Sequence, residues 1–259
     1  MKKLFMSVLA CTMMLSMAAC GSKDKEETAD IKGKTLKVVT AAPYEPYETM
    51  DEKGNLQGFD IDLGAAIAKE LDFKLEWENL DFDGALLAVK SGQADLVMAG
   101  VSPTPDRKES LDFSDIYYQD EGDTANTVVT LKDKGYASIK DLKGKTVGVQ
   151  NGTIQQEAVE SIAKKYDLKV ETRKEYADIA QEILNGKIDF MVCEKAMSTK
   201  LQGTYDKLDS FLLGEGEGSE GNAIGFKKGS PYAKEFNKAI KALKKSGELD
   251  KLIQKWFGE

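Results

Sequence analysis

Three places in this chain carry residue types that suit one small-molecule chemistry. The first is Arg107, which ends the stretch Gly100-Val101-Ser102-Pro103-Thr104-Pro105-Asp106-Arg107. This stretch reads as a strand end, a tight turn and a helix start. Thr104 is a good N-cap, and Pro105 suits the first helical position, where its missing N–H costs nothing. Arg107 then falls in the first helical turn, where the helix dipole disfavours a cation. Two explanations stand at this point. A bound anion could need both the free backbone N–H groups and the guanidinium, or Arg107 could pair at the surface with Asp106, Glu109 or Asp112. The second place is Thr153, which follows Gln150-Asn151-Gly152 and leads into a helix with its own unpaired amides. The third is Glu194, at the end of an apolar strand. If the three converge, a carboxylate could take Arg107 bidentately, with N–H groups near Ser102 and Thr153. An ammonium could take Glu194, the Gly100 carbonyl and the Ser102 hydroxyl. Such a cleft would clamp both ends of a zwitterion. Tyr44 and Phe82 could wall its side chain. Each also reads as an ordinary loop or core aromatic, and Glu194 as a surface acid.

The composition removes several other chemistries. The 259 residues include no His, so Ser-His-Asp and Cys-His triads and the usual zinc ligand sets are absent. No metal or cofactor is expected. Lys and Arg number 36 against 44 Asp and Glu, a formal charge of −8, which argues against a nucleic-acid partner. Met1–Ala19 reads as a signal peptide: Lys2 and Lys3, then an apolar run from Leu4, then small residues before Cys20. Met17-Ala18-Ala19-Cys20 resembles a bacterial lipobox, which implies cleavage before Cys20 and a lipid on its thiol. Residues 20–34 read as a lipid-anchored, flexible tether. The chain has no second long apolar run, so the mature protein is expected to touch the membrane only through that lipid. With Cys11 in the signal and Cys20 as anchor, Cys193 is left without a disulfide partner.

The elements that must position these residues follow a repeated pattern. Leu36–Thr40 reads as a strand, Ile61–Leu71 as a helix with Leu63, Ile67 and Leu71 on one face, and Leu75–Trp77 as a strand. Asp83–Lys90 reads as a helix ended by Gly92, and Asp95–Gly100 as a buried strand. A like unit recurs as strand Lys145–Gln150, helix Ile154–Tyr166, strand Leu168–Thr172, helix Asp178–Leu184 and strand Ile188–Cys193. The turn Gly92-Gln93-Ala94-Asp95 parallels Gly186-Lys187-Ile188-Asp189. The polar segments Tyr117–Thr127 and Gly214–Asn222 read as crossings between two lobes. After them come strand Ala223–Phe226, helix Tyr232–Lys245 capped by Ser230-Pro231, and helix Glu248–Phe257, packed back on the first lobe. The expected fold is α/β and two-lobed, with residues 35–118 and 222–259 in lobe 1 and 119–221 in lobe 2. Two crossings form a hinge and leave a ligand cleft at the carboxyl ends of the strands.

Read in order, Pro46-Tyr47-Glu48, Gly58-Phe59-Asp60-Ile61-Asp62-Leu63, Asp81-Phe82-Asp83, Thr104-Pro105-Asp106-Arg107, Phe113-Ser114-Asp115 and Tyr117-Tyr118 form the first half of a series. Asp141-Leu142-Lys143-Gly144-Lys145, Val147-Gly148-Val149, Gly152-Thr153 and Trp256-Phe257-Gly258 complete it. The series resembles the polar amino-acid family of bacterial ABC-transporter substrate-binding proteins (family 3) from about Leu36 to Gly258. The resemblance implies the type II periplasmic-binding-protein fold and capture of a free L-amino acid by lobe closure. It implies delivery to an ABC permease and ATPase complex, and a monomer lipid-anchored on the outer face of the cytoplasmic membrane. In an organism with an outer membrane, that face is periplasmic. It implies that Arg107, Ser102 and Thr153 hold the α-carboxylate, that Gly100 and Glu194 hold the ammonium, and that Tyr44 and Phe82 flank the side chain.

Two positions depart from the family pattern. Ala41 stands where several relatives carry an Asp that bonds the ligand side chain, and Gln150 stands where relatives vary. The missing Asp weighs against a cationic ligand, which wants an opposite charge when buried. Glu45 or Glu48 could replace it. Ala41, Glu45, Val101, Ile154 and Cys193 are expected as further pocket lining, with Cys193 equally readable as a packed strand residue. Two other functions share this fold: a dehydratase with Glu194 as general acid, and the sensing part of a receptor. Glu194 already has an ammonium to hold, and the chain carries no kinase segment, so a free-standing binder is expected.

Overall fold

The computed structural model describes residues 30–119, 125–214 and 219–258. The signal peptide and the tether through residue 29, including Cys20, lie outside the described residues, as do parts of both crossings. The first part of the chain forms β1 (Thr35–Thr40), a small hairpin of β2 (Thr49–Met50) and β3 (Leu56–Gln57), α1 (Phe59–Leu71), β4 (Lys74–Asn79), α2 (Phe82–Ser91), β5 (Leu96–Val97), α3 (Pro105–Ser110) and β6 (Leu111–Phe113). The middle forms β7 (Asn126–Leu131), β8 (Thr146–Gln150), α4 (Ile154–Tyr166), β9 (Lys169–Arg173), α5 (Tyr176–Leu184), β10 (Phe190–Glu194), α6 (Lys195–Thr204) and β11 (Leu208–Leu212). The chain ends with β12 (Gly225–Lys227), α7 (Ala233–Ser246) and α8 (Glu248–Phe257).

Two five-stranded sheets result, ordered β4-β1-β5-β12-β6 and β11-β7-β10-β8-β9. In each, three strands are parallel and a fourth, β12 or β7, runs antiparallel beside them. This is the two-lobed α/β architecture expected. Consecutive strand residues feed opposite faces, so both faces are apolar. Val38 packs with Phe226, Phe236 and Ile240, and its neighbour Val39 with Ala85, Val89 and Val97. In the second sheet Val128 and Phe190 face Val147 and Val159, while Val129 and Met191 face Ile179 and Ile183. Strands buried on both sides need no polar alternation.

The repeated Gly-to-Asp turn has a shared physical role. Asp95 Oδ2 accepts the Lys37 amide at 2.8 Å, and Asp189 Oδ2 accepts the Thr146 amide at 2.8 Å. Each Asp amide donates in return to the carbonyl of the same partner residue, at 3.0 Å. The aspartate therefore ties the start of one strand to the start of its parallel neighbour in both sheets.

Several elements differ from expectation. The strand read as Asp95–Gly100 is regular only over Leu96–Val97, because Gly100 turns away with φ of +58°. The crossing read as Tyr117–Thr127 gives its last residues to β7. The two crossings pair with each other, with Tyr117 N donating to Asn222 O at 2.9 Å and Asn222 N to Tyr118 O at 2.8 Å. α6 has only Met197, Ser198 and Leu201 buried, too weak a stripe to be seen in sequence. No side chain caps α7; Ser230 Oγ accepts the Tyr232 amide one turn early. α8 does pack against the first sheet's helices. Trp256 Nε1 donates to Asp62 at 2.8 Å, and Phe257 stacks on Tyr118 at 4.0 Å.

Candidate functional site

α3 begins as read. Thr104 Oγ1 accepts the Arg107 amide at 3.3 Å, and Pro105 opens the helix. The side chain of Arg107 then leaves the helix and runs into the cleft instead of pairing with Asp106, Glu109 or Asp112. Its Nη1 donates to the Ser102 carbonyl at 2.8 Å, and its Nη2 crosses to the Gly152 carbonyl at 2.9 Å. Its Nε–H is buried with no partner. The guanidinium lies 5.3 Å from the centre of the Phe82 ring. Burial lowers its pKa, against the opposing pull of Glu157 and Glu194. Its hydrogen bonds go to two carbonyl oxygens and none to an acid, a weak solvation for a buried cation.

Thr153 caps α4, accepting the Gln156 amide at 3.2 Å and donating to the Gln150 carbonyl at 2.8 Å. Glu194 ends β10, 8 % exposed, and accepts a short hydrogen bond from the Tyr44 hydroxyl. Tyr44 stacks on Tyr47 with ring centres 5.2 Å apart. Burial first, then the Glu194 charge, pushes the Tyr44 hydroxyl well above its ordinary pKa, so it remains a donor. Gly100 is fixed from both sides. Its amide donates to Asp60 Oδ2 at 2.9 Å, and its carbonyl accepts from Asn222 Nδ2. Asp60 also accepts the Tyr117 hydroxyl at 2.9 Å, and burial raises its carboxyl to about 7.

One cavity gathers Tyr44, Phe82, Gly100, Ser102, Arg107, Gln150, Thr153 and Glu194, with Ala41 and Ile154 from the wider set. It is nearly filled, with a free volume of about 30 Å³, about two waters' worth, and a hollow of about 410 Å³ adjoins it across Ser102 and Ile154. Three expected lining residues lie elsewhere. Glu45 points out of the cleft to Lys200, at 2.8 Å, and to Thr49. Val101 and Cys193 are wholly buried in the hydrophobic clusters of their own sheets, because each falls on the inward phase of its strand or turn. Burial raises the Cys193 thiol, which leaves it an inert packing residue. Two polar groups read as free are already engaged: the Ser102 hydroxyl with Ser219, at 2.6 Å, and the Gly100 carbonyl with Asn222.

The cavity also contains Glu48, Ala99, Gln155 and Tyr176. Ala99 lies between the end of β5 and Gly100. Gln155 follows Thr153 and donates to Asn126 at 3.3 Å. Tyr176 begins α5 and had no signal in sequence. Glu48 was visible only as one of two loop acids. Among the described residues no group of acids and cysteines could hold a metal ion, and no helix is long and apolar enough to cross a membrane.

The profile of the bacterial extracellular solute-binding proteins, family 3, matches residues 36–259. The arginine-binding extracellular protein ArtP of Bacillus subtilis (strain 168) is 39% identical over 99% of this chain and 98% of its own length. A probable histidine-binding protein of Neisseria gonorrhoeae is 33% identical over 100% of this chain and 97% of its own. Among solved structures, an ancestral arginine-binding protein bound to arginine superposes with a TM-score of 0.77 at 37% identity, covering 88% of this chain and 99% of that one.

Proposed function

This chain belongs to the bacterial extracellular solute-binding proteins, family 3, and from that premise we propose that it captures a free L-amino acid outside the cytoplasm and hands it to an ABC importer. The relatives named for arginine and histidine binding support the ligand class. One observation carries the reading for this chain. A buried guanidinium with an unpartnered Nε–H, Arg107, shares a small cavity with the buried carboxylate of Glu194.

In this reading the α-carboxylate is received by Arg107 and the first amides of α4, and the α-ammonium by Glu194. The ammonium takes the place of the Tyr44 hydroxyl on that carboxylate. Arg107 already reaches from Ser102 on one side of the cleft to Gly152 on the other. A carboxylate bound there joins the two lobes, and closure excludes water and strengthens both charge pairs. Phe82 and Tyr44 flank the ligand, while Gln150 and Thr153 complete the wall. The role is binding, with no bond made or broken. We further assign Met1–Ala19 as a signal peptide and Cys20 as the lipid anchor, so that the protein faces the permease and its ATPase as a tethered monomer.

A thermal-shift screen of the mature chain against the proteinogenic amino acids and cystine, after unfolding and refolding to strip bound ligand, tests the reading. A true ligand at a hundredfold excess over its Kd adds about 2.7 kcal/mol of stability. Arg107→Ala is expected to fold and to lose that shift, with affinity down at least about a hundredfold. The reading fails if no amino acid shifts the wild type, or if Arg107→Ala binds as the wild type does.

A further inference from the structure

Glu48 is the cavity residue that the zwitterion clamp does not use. It is wholly buried, and apart from the nearby Ala41 amide its carboxylate oxygens have no partner at normal hydrogen-bond geometry. Buried carboxylates that serve structure are normally satisfied. Its neighbour Asp60 is half satisfied by comparison: Oδ2 accepts both the Gly100 amide and the Tyr117 hydroxyl, while Oδ1 is buried without a partner. Glu48 is held in place by its backbone alone, which pairs with Tyr44 in both directions, at 2.7 and 3.0 Å. Among the described residues no cation acts on it. The charge it faces is that of Asp60, opposed only by the Ala41 amide, and burial keeps its carboxyl well above the usual carboxylate range. The site thus contains an acid for which the described residues supply no counter-charge.

We infer that Glu48 receives the cationic end of the ligand's side chain, and that the captured amino acid is one with a guanidinium or ammonium side chain. This rests on the amino-acid reading above, in which Arg107 and Glu194 are taken by the α-groups and only Glu48 remains for the side chain. The other loop acid, Glu45, is occupied by Lys200. Ala41 brings no charge of its own, but its amide lies against Glu48, so the acid missing at Ala41 is replaced from further along the same loop. Burial favours the protonated form of Glu48 in the unliganded site; a ligand cation would displace that proton and pair with the carboxylate, which a neutral side chain does not do.

Titration calorimetry of the mature chain with arginine and its neutral isostere citrulline, and with lysine and glutamine, tests this. The wild type is expected to bind arginine or lysine about 100-fold more tightly than the neutral counterpart. Glu48→Gln, of nearly equal volume, should bring the two within about tenfold and leave the neutral ligand's affinity within a few-fold. Equal wild-type affinity for arginine and citrulline, and for lysine and glutamine, overturns the inference, as does a Glu48→Gln protein that keeps the preference. If the variant does not fold, the wild-type comparison decides alone. Binding of neutral amino acids only would sink the inference and leave the amino-acid reading standing. Binding of no amino acid would sink the reading itself, and the inference with it.

Discussion

Arg107 sits where a helix dipole disfavours it, and its surroundings explain why it is tolerated. Two carbonyl oxygens, from Ser102 and Gly152, and the face of Phe82 take the charge. Its place on α3 was legible because Thr104 and Pro105 are local signals. Whether it met an anion or a surface acid was not, since side-chain direction depends on what packs around the helix. The loop acids make the same point. Glu45 and Glu48 are three positions apart in one loop, yet one is a surface ion pair and the other is sealed in the cavity. Gly100 is required for two reasons at once. Its φ is +58°, and a Cβ there would come within 2.8 Å of the Tyr44 ring. Gly100→Ala is therefore expected to cost about 1–3 kcal/mol of stability and to push Tyr44 off Glu194. Chemical denaturation and ligand titration of the variant would show it, and an unchanged midpoint and affinity would refute the argument.

At the scale of elements, strands and helices with strong apolar faces matched expectation closely, as with α4 over Ile154–Tyr166 and α8 over Glu248–Phe257. Short β6, polar α6 and β11 did not announce themselves, because their place is set by neighbours and not by their own periodicity. Two ion pairs bridge the cleft outside the cavity: Lys174 with Asp81 at 2.8 Å, and Lys200 with Glu45 at 2.8 Å. Lys174 is 68 % exposed, so its pair is screened by water. We expect Lys174→Ala combined with Lys200→Ala to weaken ligand affinity by no more than about tenfold. The unliganded protein should shift toward a more open form, readable as a larger radius of gyration in solution scattering. The effect should fade at high salt. An unchanged radius at low salt would show that these pairs do not hold the lobes together.

At the scale of the molecule, the hinge region is braced by aromatic rings. Tyr47, Phe59, Tyr118 and Phe257 meet within 4.0 to 6.4 Å of one another, so the last helix, the first helix and a crossing share one cluster. Asp60 is buried at its edge with a carboxyl raised to about 7. An acid with a raised folded pKa binds its proton more tightly folded than unfolded. Its favourable contribution is complete below the unfolded value near 4 and is lost as pH rises to about 7. Glu48, shifted the same way by burial and by Asp60, adds to the trend. Ligand-free stability is expected to fall between pH 4 and 7 by up to roughly 1.4 kcal/mol per pH unit per group. In Asp60→Asn the slope should flatten, which urea denaturation across that range would reveal.

Local order was within reach of the residues alone. Caps, glycine stops, apolar periodicity and the repeated Gly-to-Asp turn determined the elements, the α/β class and the two like lobes, because each depends on neighbours a few positions away. The poles of the clamp could be nominated on the same ground, as residues at strand ends and helix starts. Which of them meet was decided only by the tertiary structure. Tyr44 and Glu194 are 150 positions apart, Gly100 and Asn222 are 122 apart, and the inward or outward turn of Glu48, Glu45 and Cys193 is one rotation of backbone each. Burial converts such a rotation into a change of chemistry: outside, a carboxylate is satisfied by water or a lysine, and inside it must wait for a partner. That is why the acid missing at Ala41, and Glu45 and Glu48 as its possible replacements, could be noticed in the sequence, while only the folded molecule shows that Glu45 is occupied by Lys200 and Glu48 lines the cavity.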